Sequence, residues 1–366
     1  MAAFVCPKCG RREALDTRLP HCPCGALWEL EADLPKYDPA LIDQAEWSQF
    51  RYRAFMALDD DVSWRSVSLG EGMTPVVQLE KGVMAKVDYM MPTLSFKDRG
   101  AAALMAHCKA IGVDKVVQDS SGNAGNAVAA YAAKAGIACE IFVPEGTSPK
   151  KIDMIRAHGA KCTVVPGSRD HCADVCRAKV EEEGCYYASH VYNPLFYEGT
   201  KTYIYEVFEQ LGRIPENLII PVGNGTLFLG AVKALEHLLA SGCIDHFPQI
   251  WAIQSEKCDP LYQASIQNGK SPAPVKPEPT LAEGIAIGKP MRGEKILELS
   301  QKWNIRFVLA PEDQILAARG ELAKKGYYVE HTTAANYAVL REIRRKYGVE
   351  EDFLITLCGA GLKSDH

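Results

Sequence analysis

The 366-residue chain contains no apolar run of the roughly 18 residues that a membrane-crossing helix needs, although 47% of its residues are hydrophobic. It also lacks an excess of positive charge. Against 46 Asp and Glu stand 41 Lys and Arg, a formal net charge of -5, so no polycationic face awaits nucleic acid or an anionic membrane. The opening residues Met1-Ala2-Ala3-Phe4-Val5-Cys6 do not read as a secretory signal. Internal repeats and low-complexity tracts are missing too, and the one linker-like stretch is 271–279, where four prolines stiffen an exposed loop. Thirteen cysteines, an odd number scattered over a long chain, do not make the paired framework of a small secreted protein. These absences lead to the expectation of a cytoplasmic location, mostly free thiols, and neither a nucleic-acid nor a membrane partner.

What is present concentrates in a few polar stretches. In Pro92-Thr93-Leu94-Ser95-Phe96-Lys97-Asp98-Arg99-Gly100, one lysine is flanked by hydroxyls and an aromatic ring. The alanine-rich run that follows to Ala110, with an acid at its start and Gly112 just past its end, predicts a helix with Lys97 at its N-terminus. A lysine ordinarily stays charged to about pH 10.4; desolvation disfavours that charge and yields the nucleophilic amine that Schiff-base chemistry requires. A solitary lysine is more often a surface residue. Three further motifs lift Lys97 out of that class.

Each of the three follows a short apolar strand. Ser120-Ser121-Gly122-Asn123-Ala124-Gly125-Asn126-Ala127 comes after Val116-Val117 and leads into a helical run ending at Ala135. Loop N–H groups and the helix end converge there on one spot, where a carboxylate or phosphate can sit, and Asn123 can donate to a phenolate oxygen. The same residue types would also serve as a capped turn. Gly223-Asn224-Gly225-Thr226 follows Leu218-Ile219-Ile220 and opens the helical run 227–239. Its glycines allow close approach of a phosphate, whereas the third glycine of the dinucleotide fingerprint would fall on Phe228. Cys358-Gly359-Ala360-Gly361-Leu362-Lys363 ends the last strand, 353–355. At a strand's carboxyl end the Cys358 thiol can meet a pyridine nitrogen without the charge of a carboxylate, although plain burial is a common fate for cysteine.

Nearer the N-terminus, Cys6 and Cys9 form a C-x2-C pair and Cys22 and Cys24 a C-x-C pair, with Gly10 and Gly25 permitting the turns. Four thiolates at that spacing can close a tetrahedron around a structural Zn2+, which leaves His21 as a neighbour rather than a ligand. Along the rest of the chain, strands at 139–143, 162–165 and 185–188 alternate with helical runs at 150–158 and 170–183. The rhythm resumes with a helix to Leu211, strands near Ile219 and at 250–253, and helices at 314–325 and 333–347. It predicts an α/β fold with parallel sheets flanked by helices.

In order and spacing, Ser95 to Gly100, Ser121-Gly122-Asn123, Asn193-Pro194 with Glu198-Gly199-Thr200-Lys201-Thr202, Gly223 to Thr226, Gly284-Ile285-Ala286-Ile287-Gly288 and Gly359 to Lys363 resemble the fold type II pyridoxal-phosphate enzymes, above all the threonine synthase-like family. The resemblance runs from about Gly70 to the C-terminus. It implies pyridoxal 5'-phosphate held as a Schiff base by Lys97, a ring-oxygen contact from Asn123, phosphate binding by Gly223, Asn224, Gly225 and Thr226, and Cys358 near the pyridine nitrogen. Substrate would be held by Ser95, Ser120, Ser121, Gly122 and Ala124. The implied fold is two-lobed: a zinc-ribbon-like segment 1–30, a large lobe from 31–92 and 202–366, and a small inserted lobe 93–201, with the cofactor in the cleft, closure on substrate, and a homodimer as the common assembly. The implied activity is elimination or replacement on a small amino acid, conversion of O-phosphohomoserine to threonine plus phosphate being one instance. A serine/threonine-type ammonia-lyase or a β-replacement synthase is the alternative, favoured by Cys358 and Ala282-Glu283-Gly284; a non-catalytic zinc-ribbon binding protein is the third.

The chain departs from the family pattern at several places. Ala124 stands where the loop usually carries threonine, Leu195-Phe196-Tyr197 where an arginine is common, and Met91 and Leu94 where asparagine and glycine are common. An apolar, aromatic wall disfavours a phosphorylated substrate tail, which needs cations and donors. Ser95, Ser121, Arg99, His190 and Lys201 remain as candidates for holding an anion.

Overall fold

The computed structural model describes residues 2–60 and 62–364. The fold is α/β, with helices flanking one parallel and one mixed sheet. The chain forms two compact units, one from the residues up to Met73 together with Lys97–Thr200, the other from Thr74–Phe96 and the chain from Lys201 onward.

The first unit holds a parallel sheet in the order Lys161–Val165, Ala138–Pro144, Lys115–Gln118, Tyr186–Tyr187. Val116, Val117, Ile141 and Val143 are fully buried, as expected of short strands covered on both faces. Helices Lys97–Ala110, Asn123–Ala135, Pro149–Ala157 and Arg169–Glu183 belong to the same unit. At its N-terminus Ala3–Val5 pairs antiparallel with both Arg12–Glu13 and Glu29–Glu31. Residues 31–73, expected with the larger lobe, cluster here instead. The reason is tertiary: Phe50, Tyr52 and Phe55 are fully buried, the Gln49 side chain donates to the Arg99 carbonyl (2.8 Å), and the Ala57 amide donates to Glu198 (2.8 Å).

The second unit is built on a six-stranded sheet in the order Arg306–Ala310, Gln249–Ser255, Asn217–Pro221, Phe353–Thr356, Val83–Lys86, Val76–Glu80. Every pairing is parallel except the last, where Val76–Glu80 and Val83–Lys86 form an antiparallel hairpin turned at Gly82, φ 72°. The sheet is therefore mixed rather than wholly parallel. Its inner strands Asn217–Pro221 and Phe353–Thr356 are buried at every position, and helix His331–Tyr347 lays Ala334, Ala335, Ala338, Val339 and Ile343 into their core. Among the described residues no helix is long and apolar enough to cross a membrane.

Candidate active site

Lys97 is the first residue of helix Lys97–Ala110 and is partly buried. The segment just before it is stitched to the end of the last strand: the Phe96 amide donates to the Cys358 carbonyl (3.0 Å), the Ala360 amide to the Leu94 carbonyl (3.1 Å), and Lys363 Nζ to the Thr93 carbonyl (2.5 Å). Within that segment Leu94 adopts φ 61°, the left-handed region that suits glycine, at the position where the family pattern has one. Ser95 is fully buried, and among the described residues its Oγ has no hydrogen-bond partner. On the helix side, a Cβ on Gly100 would run into the Phe196 ring and a Cβ on Gly199 into the Arg99 carbonyl, so both glycines are needed for this close approach. As a result Lys97 Nζ lies 5.9 Å from the centroid of the Phe196 ring.

In the same unit, Ser120 to Gly122 form the turn between strand Lys115–Gln118 and helix Asn123–Ala135, with Asn123 as the first helical residue. Gly122 occupies the N-cap without a side-chain cap, and the Ser120 carbonyl sits where a Cβ on Gly125 would be, so the turn folds tightly onto the helix. Ser120 and Ala124 are buried, whereas Ser121 is partly exposed. Of the anion-holding candidates, Arg99, His190 and Lys201 are all buried. His190 is held well below its usual pKa by burial and then by the charges of Lys97 and Arg169, so at neutral pH it is not a cation.

The second unit carries the glycine turn and the thiol. Gly225, φ 78°, caps helix Thr226–Ala240 without a side-chain cap, and a Cβ on it would strike Ile296. A Cβ on Gly223 would lie 3.0 Å from the Gly284 carbonyl, so the 284–288 stretch forms the floor beneath this turn. The uncapped helix start leaves N–H groups facing the turn that contains Asn224, as phosphate binding requires. Cys358 is buried, its Sγ 3.0 Å from Thr333 Oγ1 and 3.7 Å from Glu330 Oε1. Thr333 Oγ1 in turn accepts the Cys358 and Gly359 amides, both at 3.1 Å. Burial, reinforced by the Glu330 charge, pushes the thiol far above its usual pKa and keeps it neutral. Thr333 and Glu330 carried no motif in the sequence; they reach Cys358 only through the packing of helix His331–Tyr347 and the residue before it.

The four N-terminal cysteines converge. Their sulfurs all lie within 4.8 Å of one another, with Cys6 to Cys24 at 3.4 Å and Cys9 to Cys22 at 3.5 Å. Gly10 and Gly25, φ 72° and 88°, make the two turns, and the Cys9 amide points at Cys6 Sγ (3.5 Å). His21 turns its Nδ1 to the Cys22 carbonyl (2.9 Å), outside the sulfur cluster.

The sequence pattern of the family described as "Pyridoxal-phosphate dependent enzyme" matches residues 67–359. The chain belongs to that family. Within the pyridoxal-phosphate family it is similar to a threonine synthase from Methanocaldococcus jannaschii, 30% identical over 98% of this chain and 92% of that protein. A threonine synthase from Mycobacterium leprae is 31% identical over 85% of this chain and 87% of its own. In fold it is similar to a solved threonine deaminase from T.th., with TM-score 0.69, 23% identity, and coverage of 81% of this chain and 96% of that one. The diaminopropionate ammonia lyase of Escherichia coli has TM-score 0.69 at 17% identity, covering 91% of this chain and 92% of its own. The expectation of a pyridoxal-phosphate enzyme of threonine synthase type therefore holds. The local chemistry suits the cofactor: a lysine at a helix start, a glycine turn at an uncapped helix, and a neutral thiol in place of a carboxylate.

Proposed function

We propose that Lys97 holds the cofactor covalently and that this enzyme carries out elimination or replacement on a small amino acid. Pyridoxal phosphate, when bound, supplies an electron sink that acidifies the α-hydrogen of an attached amino acid. In this reading Gly223, Asn224, Gly225 and Thr226 hold the phosphate, Asn123 donates to the ring oxygen, and Cys358 meets the ring nitrogen as a neutral group. Ser120, Ser121 and Gly122 receive the substrate carboxylate, and Ser95 and Ala124 bind the substrate as well. Lys97 moves the protons. Cys6, Cys9, Cys22 and Cys24 hold a structural zinc.

The observation that carries the reading is the tie between Phe96 and Cys358: the residue covalently preceding the lysine donates its amide to the carbonyl of the residue assigned to the ring nitrogen. The relatives' name makes threonine formation the first outcome to test. Ammonia release is the second, favoured by the Phe196 ring and uncharged His190 beside Lys97. Purified protein should show visible cofactor absorbance that responds to amino acids and is abolished in Lys97→Ala. Phosphate, ammonia and 2-oxo acid are measured in parallel. Unchanged absorbance in Lys97→Ala would remove Lys97 from its role.

A further inference from the structure

Gln118 is the last residue of strand Lys115–Gln118 and is fully buried. Its Nε2 donates to the Ala188 carbonyl (3.0 Å) and lies 3.4 Å from His190 Nδ1. Because a carbonyl can only accept, the amide orientation is fixed, and Oε1 is the atom left over. It is buried and, among the described residues, unpartnered. The same contact makes Nδ1 of the neutral imidazole an acceptor, which puts its proton on Nε2. The His190 ring stands edge-on to Phe196, centroids 5.9 Å apart at 62°, and it is over this Phe196 ring that Lys97 Nζ lies. One unspent acceptor and one N–H donor are thus linked to the lysine through the adjoining His190 and Phe196 rings, all within one unit. A buried acceptor left without a donor is costly, so the arrangement favours a ligand that supplies O–H or N–H.

We propose that Gln118 and His190 form the subsite that reads the substrate side chain beside Lys97, taking an uncharged group that both donates and accepts, a hydroxyl above all, and turning away phosphate esters. The inference rests on the role proposed for Lys97. A phosphate dianion brings only acceptors, which Gln118 Oε1 repels and the Phe196 ring cannot neutralise. Neither Gln118 nor His190 belonged to a family motif in the sequence; the pairing arises because residues 118 and 190 end adjacent strands of the parallel sheet or follow them closely.

The test compares serine, threonine and homoserine with O-phosphoserine and O-phosphohomoserine on the holoenzyme, then on Gln118→Leu and His190→Phe, alongside imidazole 15N spectra of the wild type. Wild type should prefer the hydroxyl substrates. Each variant should lose about 10- to 100-fold in kcat/KM for them, chiefly through KM, with visible absorbance unchanged. The spectra should show a neutral His190 protonated on Nε2 at pH 7. A wild-type preference for the phosphate esters, an unchanged KM in the variants, or a protonated ring at pH 7 overturns the inference while leaving Lys97 in place. Absence of cofactor absorbance in the wild type brings down the proposed function and this subsite with it.

Discussion

Leu94 shows how one residue can stand against a local rule. Its backbone lies at φ 61°, and the side chain is 40% exposed, so the strain of the left-handed region is not repaid by burial. A glycine there relieves roughly 1–2 kcal/mol of strain, and its greater freedom in the unfolded chain takes back about 0.4–1 kcal/mol. Leu94→Gly is therefore expected to stabilise the protein by about 0.5–1 kcal/mol, and Leu94→Ile, branched at Cβ, to destabilise it. Urea titration measures both. A lower midpoint for Leu94→Gly would mean that the leucine makes a contact worth more than its strain.

At the scale of elements, the N-terminal antiparallel sheet is too small to bury a core of its own. Its cluster of Phe4, Cys6, Cys22 and Trp28 is completed by Leu195, the first residue of helix Leu195–Leu211 and the neighbour of Phe196. Small metal-binding domains draw much of their folding energy from the metal. If zinc closes the four thiolates, chelation should raise amide hydrogen exchange across residues 3–31 and, through Leu195, at the start of that helix, and Cys9→Ser should do the same. Exchange unchanged by chelation, with no zinc found by elemental analysis, would rule out the metal. The pair Gly100 and Gly199 acts at the same scale, allowing helix Lys97–Ala110 and the start of helix Leu195–Leu211 to approach closely enough to set Phe196 beside Lys97.

At the scale of the whole molecule, one buried carboxyl gives stability a pH dependence. Glu71 is fully buried, receives the Leu69 amide (2.9 Å), and is pushed up from the usual 4.5 to about 7, burial being the main cause and Asp98 a lesser one. A carboxyl whose folded pKa is raised holds its proton more tightly when folded, so its contribution is complete below pH 4.5 and is lost as pH rises through about 7. The loss is on the order of 3 kcal/mol. Glu71→Gln, which keeps an acceptor for Leu69, should gain stability over the wild type at pH 8 but not at pH 4.5, as read by thermal unfolding. Equal pH profiles for the two proteins would show that Glu71 titrates normally.

The amino-acid sequence by itself determined the features that depend on short range. Alternating apolar runs define most strands and helices, an acid and a glycine bracket the helix that begins at Lys97, and two close cysteine pairs with a glycine after each mark a four-sulfur cluster that the fold does bring together. Such signals are local because period, capping and turn chemistry are properties of neighbouring residues. Tertiary structure alone decided the rest: the antiparallel hairpin on an otherwise parallel sheet, the placing of residues 31–73 with the first unit, the neutral state of His190, the orphaned Gln118 Oε1, and the Thr333 and Glu330 partners of Cys358. Each of these depends on which atoms exclude water from, or donate to, a group far away in the chain, and no periodicity along the chain records that distance.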